Sequence, residues 1–102
     1  MQLMTKEIEK KLNKVGLYGQ DSKGDQAEVI VKYFNPVGNG IWLVTGGEKL
    51  ANGDWLLYGC HNIYEWEWGE VLLSELQNVR LPFGLKIEKD LYSKGTVEKL
   101  RA

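Results

Sequence analysis

Two glutamates have the spacing that comes closest to a catalytic site in this sequence. Glu65 and Glu67 lie two residues apart, a spacing that places both side chains on one face of a strand. Paired carboxylates are the groups that hydrolyse glycosides, but a chain of 102 residues has little material for a substrate cleft around them. We therefore interpret the two glutamates as part of a solvated strand face.

Cys60 and His61 are the only cysteine and the only histidine. Neighbouring residues on a strand point to opposite faces, and a structural zinc site needs about four ligands, so this pair predicts no metal site. A serine or cysteine nucleophile needs an oriented base, and the glycines match neither the Walker pattern nor the dinucleotide fingerprint. We expect a protein that is not an enzyme and that binds neither a metal nor a cofactor.

Aromatic side chains alternate with the two glutamates. Tyr64, Trp66 and Trp68 share one face if this segment is a strand, and such a face usually packs on the core. At a sheet edge or in a projecting hairpin, the same rings form an exposed patch of the kind enriched at protein interfaces. We expect at least one ring to be substantially exposed. The candidate partner-binding residues are Tyr64, Glu65, Trp66, Glu67 and Trp68.

Charge is balanced overall but unevenly distributed. Thirteen Lys and Arg against fourteen Asp and Glu give a net charge of -1, which supplies no bulk attraction to nucleic acid or anionic lipid. Residues 50–79 carry five acidic and no basic side chains, whereas residues 80–102 carry six basic and three acidic ones. The acidic, aromatic middle of the chain favours a basic or mixed protein partner.

Nucleic-acid binding is the alternative hypothesis. Basic side chains would contact phosphates while aromatic rings of the sheet stack on bases. This requires the two ends of the chain to share a face, so that the row formed by Lys6, Lys10 and Lys14 can join the C-terminal basic residues. Those residues are Lys86, Lys89, Lys94, Lys99 and Arg101.

An N-terminal helix is predicted from Lys6 to Val15. Thr5 is a suitable N-cap, apolar residues recur at the spacing of one helix face, and Gly16 offers a C-terminal stop. From Glu28 to Phe34 the period changes to two, which predicts a central strand because both of its faces are largely apolar.

A hairpin follows, because Asn52-Gly53 is a strong turn signal between two runs rich in aromatic and β-branched residues, Ile41 to Thr45 and Trp55 to His61. The rest of the chain contains a strand from Ile63 to Leu73 and a short helix that starts at a capping-box pattern on Ser74 and ends near Arg80. We also predict an edge strand from Leu85 to Asp90 and a final helical turn from Thr96 to Leu100.

Together these elements predict an α+β fold. It has a mainly antiparallel sheet of four or five strands, an N-terminal helix and a short helix before the last strand. The length predicts a single domain over residues 1–102. Charged residues begin at Lys6 and Glu7, close to the N-terminus, and no apolar run is nearly as long as a membrane-spanning segment. We therefore predict a cytoplasmic protein with no membrane partner.

Five segments, taken in order, resemble a small bacterial family recorded as domain of unknown function 2958. They are Leu3–Glu7, Val31–Pro36, Trp42, Trp68–Leu76 and Gly84–Tyr92. The resemblance implies a setting on phages, plasmids and other mobile elements, and it implies no activity and no site residues. We therefore predict a non-catalytic interaction or accessory protein of a mobile genetic element that binds a protein partner.

Overall fold

The computed structural model describes residues 2–90 and 92–101, so Met1, Leu91 and Ala102, and with them the ends of the predicted domain, lie outside the description. The chain forms an α+β fold in which four strands follow the N-terminal helix and a short helix precedes the last strand, as predicted from the sequence. The helices and strands are α1 (Lys6–Val15), β1 (Val31–Phe34), β2 (Ile41–Lys49), β3 (Trp55–Asn62), β4 (Trp66–Leu72), α2 (Leu73–Gln77), β5 (Glu88–Asp90) and α3 (Val97–Arg101).

The five strands form one antiparallel sheet in the order β4-β3-β2-β1-β5. β1 lies inside the sheet and β5 lies at an edge, as the sequence predicts. The other edge is β4, which has seven residues, whereas β5 has three. The two edges therefore differ in length, and the longer one carries the acidic and aromatic segment.

α1 has the predicted bounds because both of its ends are capped. The Thr5 hydroxyl accepts a hydrogen bond from the Ile8 N–H at 3.2 Å. At the other end Gly16 has a φ of +74°, which glycine adopts without strain, and its N–H donates to the Leu12 carbonyl at 2.7 Å. The apolar face of α1 buries Ile8 and Leu12 against the sheet.

The β3–β4 hairpin corrects the predicted strand from Ile63 to Leu73. Asn62 pairs with Trp66, and the residues between them, 63–65, form a bend that reverses the chain. Tyr64 therefore lies in the bend, not on a strand face with Trp66. Farther along β4, Trp66 and Glu67 keep the predicted alternation and point to opposite faces.

α2 begins at Leu73 and is capped in a way that differs from the predicted box on Ser74. The Glu75 carboxylate accepts from the Leu72 N–H at 2.9 Å. Ser74 instead donates its N–H, at 3.1 Å, and its hydroxyl, at 2.5 Å, to the carboxylate of Asp54, which precedes β3. The helix ends at Gln77, earlier than predicted. Beyond it the Val79 N–H bonds to the Leu76 carbonyl, three residues back, and not to a carbonyl four residues back as in an α-helix.

Both faces of the sheet are covered. We call them the α1 face and the α3 face, after the helices that lie on them. The α1 face holds the larger core, whose members include Leu12, Tyr33, Trp42, Leu57 and Leu76. The α3 face holds a smaller core of Ala27, Val29, Leu43, Cys60 and Val97, with Trp66 packed against it.

Candidate functional site

An open groove of about 400 Å³ runs along the α1 face beside the β4 edge, and we call it the β4 groove. Trp42, His61 and Glu67 reach it from three neighbouring strands, because register pairs His61 with both of the others. The bend at residues 63–65 closes one end of the groove. Its lining includes Trp42, His61, Tyr64, Glu67, Gly69 and Val71.

Gly69 forms an open part of this groove. A Cβ at this position would meet no atom within 4 Å, so the space above the Gly69 backbone is open. A glycine inside a strand pattern often marks a close approach of another chain or ligand, so Gly69 is a signal in the sequence that could have pointed to the groove, although no prediction was drawn from it. The sequence gave no sign that Trp42 and Glu67 share a groove on either side of His61, since strand order is not visible in the sequence.

His61 lies in the wall of the groove as an uncharged side chain. Its Nε2 is 2.9 Å from the Gly69 carbonyl oxygen, so Nε2 carries the proton and donates it to that oxygen. Burial lowers the pKa of His61, against the opposing effect of its bond to the Gly69 carbonyl. Within the part of the chain that the structure describes, the buried Nδ1 has no hydrogen-bond partner. His61 thus adds no positive charge to the groove at neutral pH.

The five candidate partner-binding residues separate into two groups. Tyr64, Glu65, Glu67 and Trp68 border the β4 groove, and Tyr64 is 94% exposed while Trp68 is 38% exposed. This confirms that at least one ring of the segment is substantially exposed. Trp66 is half-buried on the α3 face, where the guanidinium of Arg101 lies 5.5 Å from the centre of its ring. Trp66 and Trp68 lie on the same face of β4, as the alternation predicts, because they pair with Asn62 and Cys60. Tyr64 lies in the bend, so the predicted aromatic face holds two rings and not three.

Trp68 belongs to a row of three aromatic rings. It stacks on Tyr58 with ring centres 5.8 Å apart, and Tyr58 meets the edge of Tyr18 at 5.0 Å. The Tyr18 hydroxyl donates to a Glu70 carboxylate oxygen at 2.6 Å, and this bond is the main reason that the pKa of Tyr18 rises to about 12. No pattern in the sequence pointed to Tyr18 and Tyr58, because neither lies near Trp68 in the chain.

The groove is acidic. Glu65 and Glu67 are exposed, and neither belongs to an ion pair within residues 2–90 and 92–101. With His61 neutral, these carboxylates set the charge of the groove. A cationic side chain of a partner would find two unpaired carboxylates beside exposed aromatic surface.

Comparison with known proteins identifies the family. The family described as "Protein of unknown function (DUF2958)" matches residues 3–99 of the chain. The chain belongs to this family. The resemblance drawn from the five sequence segments is thereby confirmed for the family itself. Neither the curated proteins nor the solved structures gave a match.

The basic residues of the DUF2958 chain do not form one patch. Lys86 lines a hollow with Leu3 and Leu76, whereas Lys89 and Lys94 line a second hollow at the β5 edge. Residues of the alternative hypothesis on α3 are placed elsewhere. Lys99 lies against Gly95, and Arg101 pairs with Asp25 at 3.3 Å beside Trp66 of the opposite edge strand.

One N-terminal lysine, Lys11, joins this basic set, and it does not belong to the row of Lys6, Lys10 and Lys14 that was expected to do so. Lys11 lines the second hollow with Lys89 and Lys94, and Lys6, Lys10 and Lys14 do not. Carboxylates line the same hollow, namely those of Glu7, Glu28 and Asp90. Both ends of the chain thus contribute to one hollow, but its charge is mixed.

Further surface features of the DUF2958 chain lie outside the groove. Phe83 is 96% exposed, and Tyr92 is also exposed.

Cys60 and His61 point to opposite faces, and the described residues contain no group of three or more His, Cys, Asp or Glu that could hold a metal ion. None of the described helices is both long enough and apolar enough to cross a membrane.

Proposed function

We propose that this DUF2958 protein is a non-catalytic interaction or accessory protein of the cytoplasm that binds a protein partner through the β3–β4 bend and the β4 groove. The observation that carries the proposal is the position of Tyr64, which is 94% exposed at the mouth of an acidic groove. Tyrosine is enriched among the residues that dominate binding energy at protein interfaces.

The surroundings of Tyr64 support a protein partner. Ile63 is also exposed beside it. Both residues border another hollow, separate from the groove and from the hollow at the β5 edge, which is completed by the turn at residues 38–40. Neighbouring exposed apolar side chains rimmed by polar groups are typical of interaction surfaces. The unpaired Glu65 and Glu67 favour a partner whose contacting surface is basic, because complementary charge speeds association and excludes acidic competitors.

Affinity capture with matched variants tests this proposal. The tagged protein, its Tyr64→Ala variant and its Phe83→Ala variant are used to recover proteins from the host, and the recovered proteins are compared by mass spectrometry. Phe83 is the control because it is an equally exposed aromatic residue outside the groove. We expect Tyr64→Ala alone to lose a specific partner. Equal recovery by all three proteins, or loss only with Phe83→Ala, contradicts the proposed surface.

Nucleic-acid binding remains the second proposal, supported by the meeting of Lys11, Lys89 and Lys94 at one hollow. Phosphate contacts release counterions, so binding to a single-stranded oligonucleotide should weaken steeply between low and moderate salt. Lys94→Ala should weaken it further, whereas Glu67→Gln, on the other edge strand, should not. Absence of binding at low salt contradicts this second proposal.

A role in a mobile genetic element is also part of the main proposal, and the resemblance of the sequence supports it. Its test is genetic. Removing the gene from an element that carries it should change the transfer or maintenance of that element, and restoring the wild-type gene, but not the Tyr64→Ala form, should reverse the change. An element that behaves identically without the gene contradicts this role.

A further inference from the structure

The β4 edge of the sheet is open along its whole length. β4 has seven residues and pairs with β3 on one side only. Among the described residues, no other segment forms a backbone hydrogen bond with β4 on its outer side. The outer row of N–H and C=O groups is therefore available to another strand.

The two sheet edges are protected very differently. Proteins protect edges with very short strands, lysines, prolines or bulges. β5 uses two of these devices, because it has three residues and carries Lys89 at its centre. β4 contains neither lysine nor proline, and its register with β3 runs without a bulge. The same chain thus closes one edge and leaves the other regular and open.

Charge argues against a second copy of this chain at the open edge. Each copy would bring Glu65, Glu67 and Glu70, and residues 50–79 contain no Lys or Arg to offset them. Like charges on neighbouring strands are destabilising, whereas opposite charges stabilise the pair. The carboxylates therefore select a basic strand and disfavour self-association.

The space above Gly69 adds a requirement of shape. On the α1 face of β4 the outward residues are, in order, Glu67, Gly69 and Val71, and a Cβ at Gly69 would meet nothing within 4 Å. A large side chain on a neighbouring strand can lie over such a glycine, as aromatic residues do in sheets. There it would also face the part of the groove that His61 and Val71 line.

We propose that β4 accepts an added strand from the protein partner, which places a Lys or Arg side chain beside Glu67 and a large apolar side chain over Gly69. This rests on the proposed function, because it specifies how a partner occupies the same groove. Backbone hydrogen bonds to the β4 edge hold the segment, and its alternate side chains provide specificity.

A synthetic peptide tests the mode of binding directly. Its core is Lys-Thr-Phe-Thr-Lys, which presents the same alternate side chains in either strand direction, so the direction of pairing need not be known. We expect it to bind and to slow amide hydrogen exchange in β4, because the outer N–H groups become hydrogen-bonded. A peptide with Pro in place of both Thr cannot donate those backbone bonds and should not bind. Exchange in β5 is the internal control.

Two variants of the protein test the side-chain requirements. Glu67→Gln should weaken binding of the lysine peptide about threefold to fivefold, and replacing both Lys of the peptide with Glu should abolish binding. Gly69→Val fills the open space without meeting other atoms of the protein, so the fold is kept. The phenylalanine of the peptide can then no longer lie over position 69. We expect at least a tenfold loss with Gly69→Val, and no change with Phe83→Ala.

The outcomes separate this inference from the proposed function. Binding without protection of β4, or equal binding of the proline peptide, overturns strand addition. Loss of the captured partner with Tyr64→Ala but not with Gly69→Val or Glu67→Gln also overturns it, while the interaction surface stands. If none of these three variants affects capture, both proposals fail.

Discussion

Gly59 of β3 and Gly69 of β4 are directly paired across the two strands, yet only Gly69 has room for a side chain. A Cβ at Gly59 would lie 1.9 Å from the Leu43 carbonyl oxygen of β2, whereas one at Gly69 would meet no atom within 4 Å. Gly59 thus serves the close packing of the sheet, and Gly69 leaves the groove open.

This difference predicts opposite effects of the same substitution. Gly59→Ala forces the backbones of β2 and β3 apart and should lower the free energy of unfolding by about 3 kcal/mol or more. Gly69→Ala should raise it by about 0.5 to 1 kcal/mol, because alanine restricts the unfolded chain at a site where it fits. Urea denaturation measures both. Similar effects of the two substitutions would contradict the assigned packing.

Trp66 and Tyr64 are predicted to contribute differently to stability. Trp66→Ala removes a ring that packs on the α3-face core and beneath Arg101, and should cost about 3 kcal/mol. Tyr64→Ala should change the free energy of unfolding by less than about 0.5 kcal/mol, because the ring is exposed. Thermal and urea denaturation of the two variants provide the comparison. A stability loss on Tyr64→Ala would place this residue in the core.

Asp54 should make part of the stability depend on acid pH. The hydroxyl of Ser74 and the N–H groups of Trp55 and Ser74 bond its carboxylate, and they hold its pKa below the ordinary value despite some burial. A carboxyl whose pKa is lower in the folded state stabilises above the unfolded pKa of about 4, and this contribution is lost as the pH falls through the folded value.

Asp54→Asn therefore provides the test of that dependence. At neutral pH it should cost about 1 kcal/mol, the usual value of a capping interaction at a helix start. The difference in melting temperature between the wild type and the variant should shrink as the pH is lowered from about 5 to 3. Asp90, which also has a lowered pKa, is present in both proteins and cancels from the difference. A difference that is constant with pH would contradict the bonding of Asp54.

Tyr18 should titrate at unusually high pH. Its bond to Glu70 is the main reason that its pKa is raised to about 12, so the contribution of this bond to stability is present at neutral pH and lost as the pH rises from about 10 toward 12. The difference in tyrosinate absorbance between the wild type and Tyr18→Phe isolates this group. Glu70→Gln should return its titration toward the ordinary range. A Tyr18 that ionises near pH 10 in the wild type would show that the bond is absent.

The elements that the sequence predicts well are those specified by neighbouring residues. α1 has its N-cap, its apolar period and its stop within twelve consecutive residues, from Thr5 to Gly16, and its bounds agree with the structure. The Asn52-Gly53 turn likewise joins the two strands that it was expected to join. Local capping and turn chemistry suffice for these features.

The features that the sequence does not predict depend on residues distant in the chain. The cap of α2 involves Asp54, which contacts Ser74 across twenty positions, so a local box pattern selected the wrong first residue. The bend at residues 63–65 contains no glycine or proline, and its bulky side chains resemble a continuing strand. The groove depends on strand order, which places Trp42 and Glu67 on either side of His61 and which no local pattern encodes.

Because the lone Cys60 is buried beneath α3, the rate at which its thiol is alkylated reports local opening of the fold. The thiol is fully buried in the α3-face core, and burial raises its pKa, so an alkylating reagent must wait until that core opens. Among the residues that the structure describes, this core has five buried members, far fewer than the α1-face core, and small cooperative units open at lower free energy than the whole fold. The rate of alkylation therefore measures, in the unmodified wild-type chain, how often the α3-face core opens.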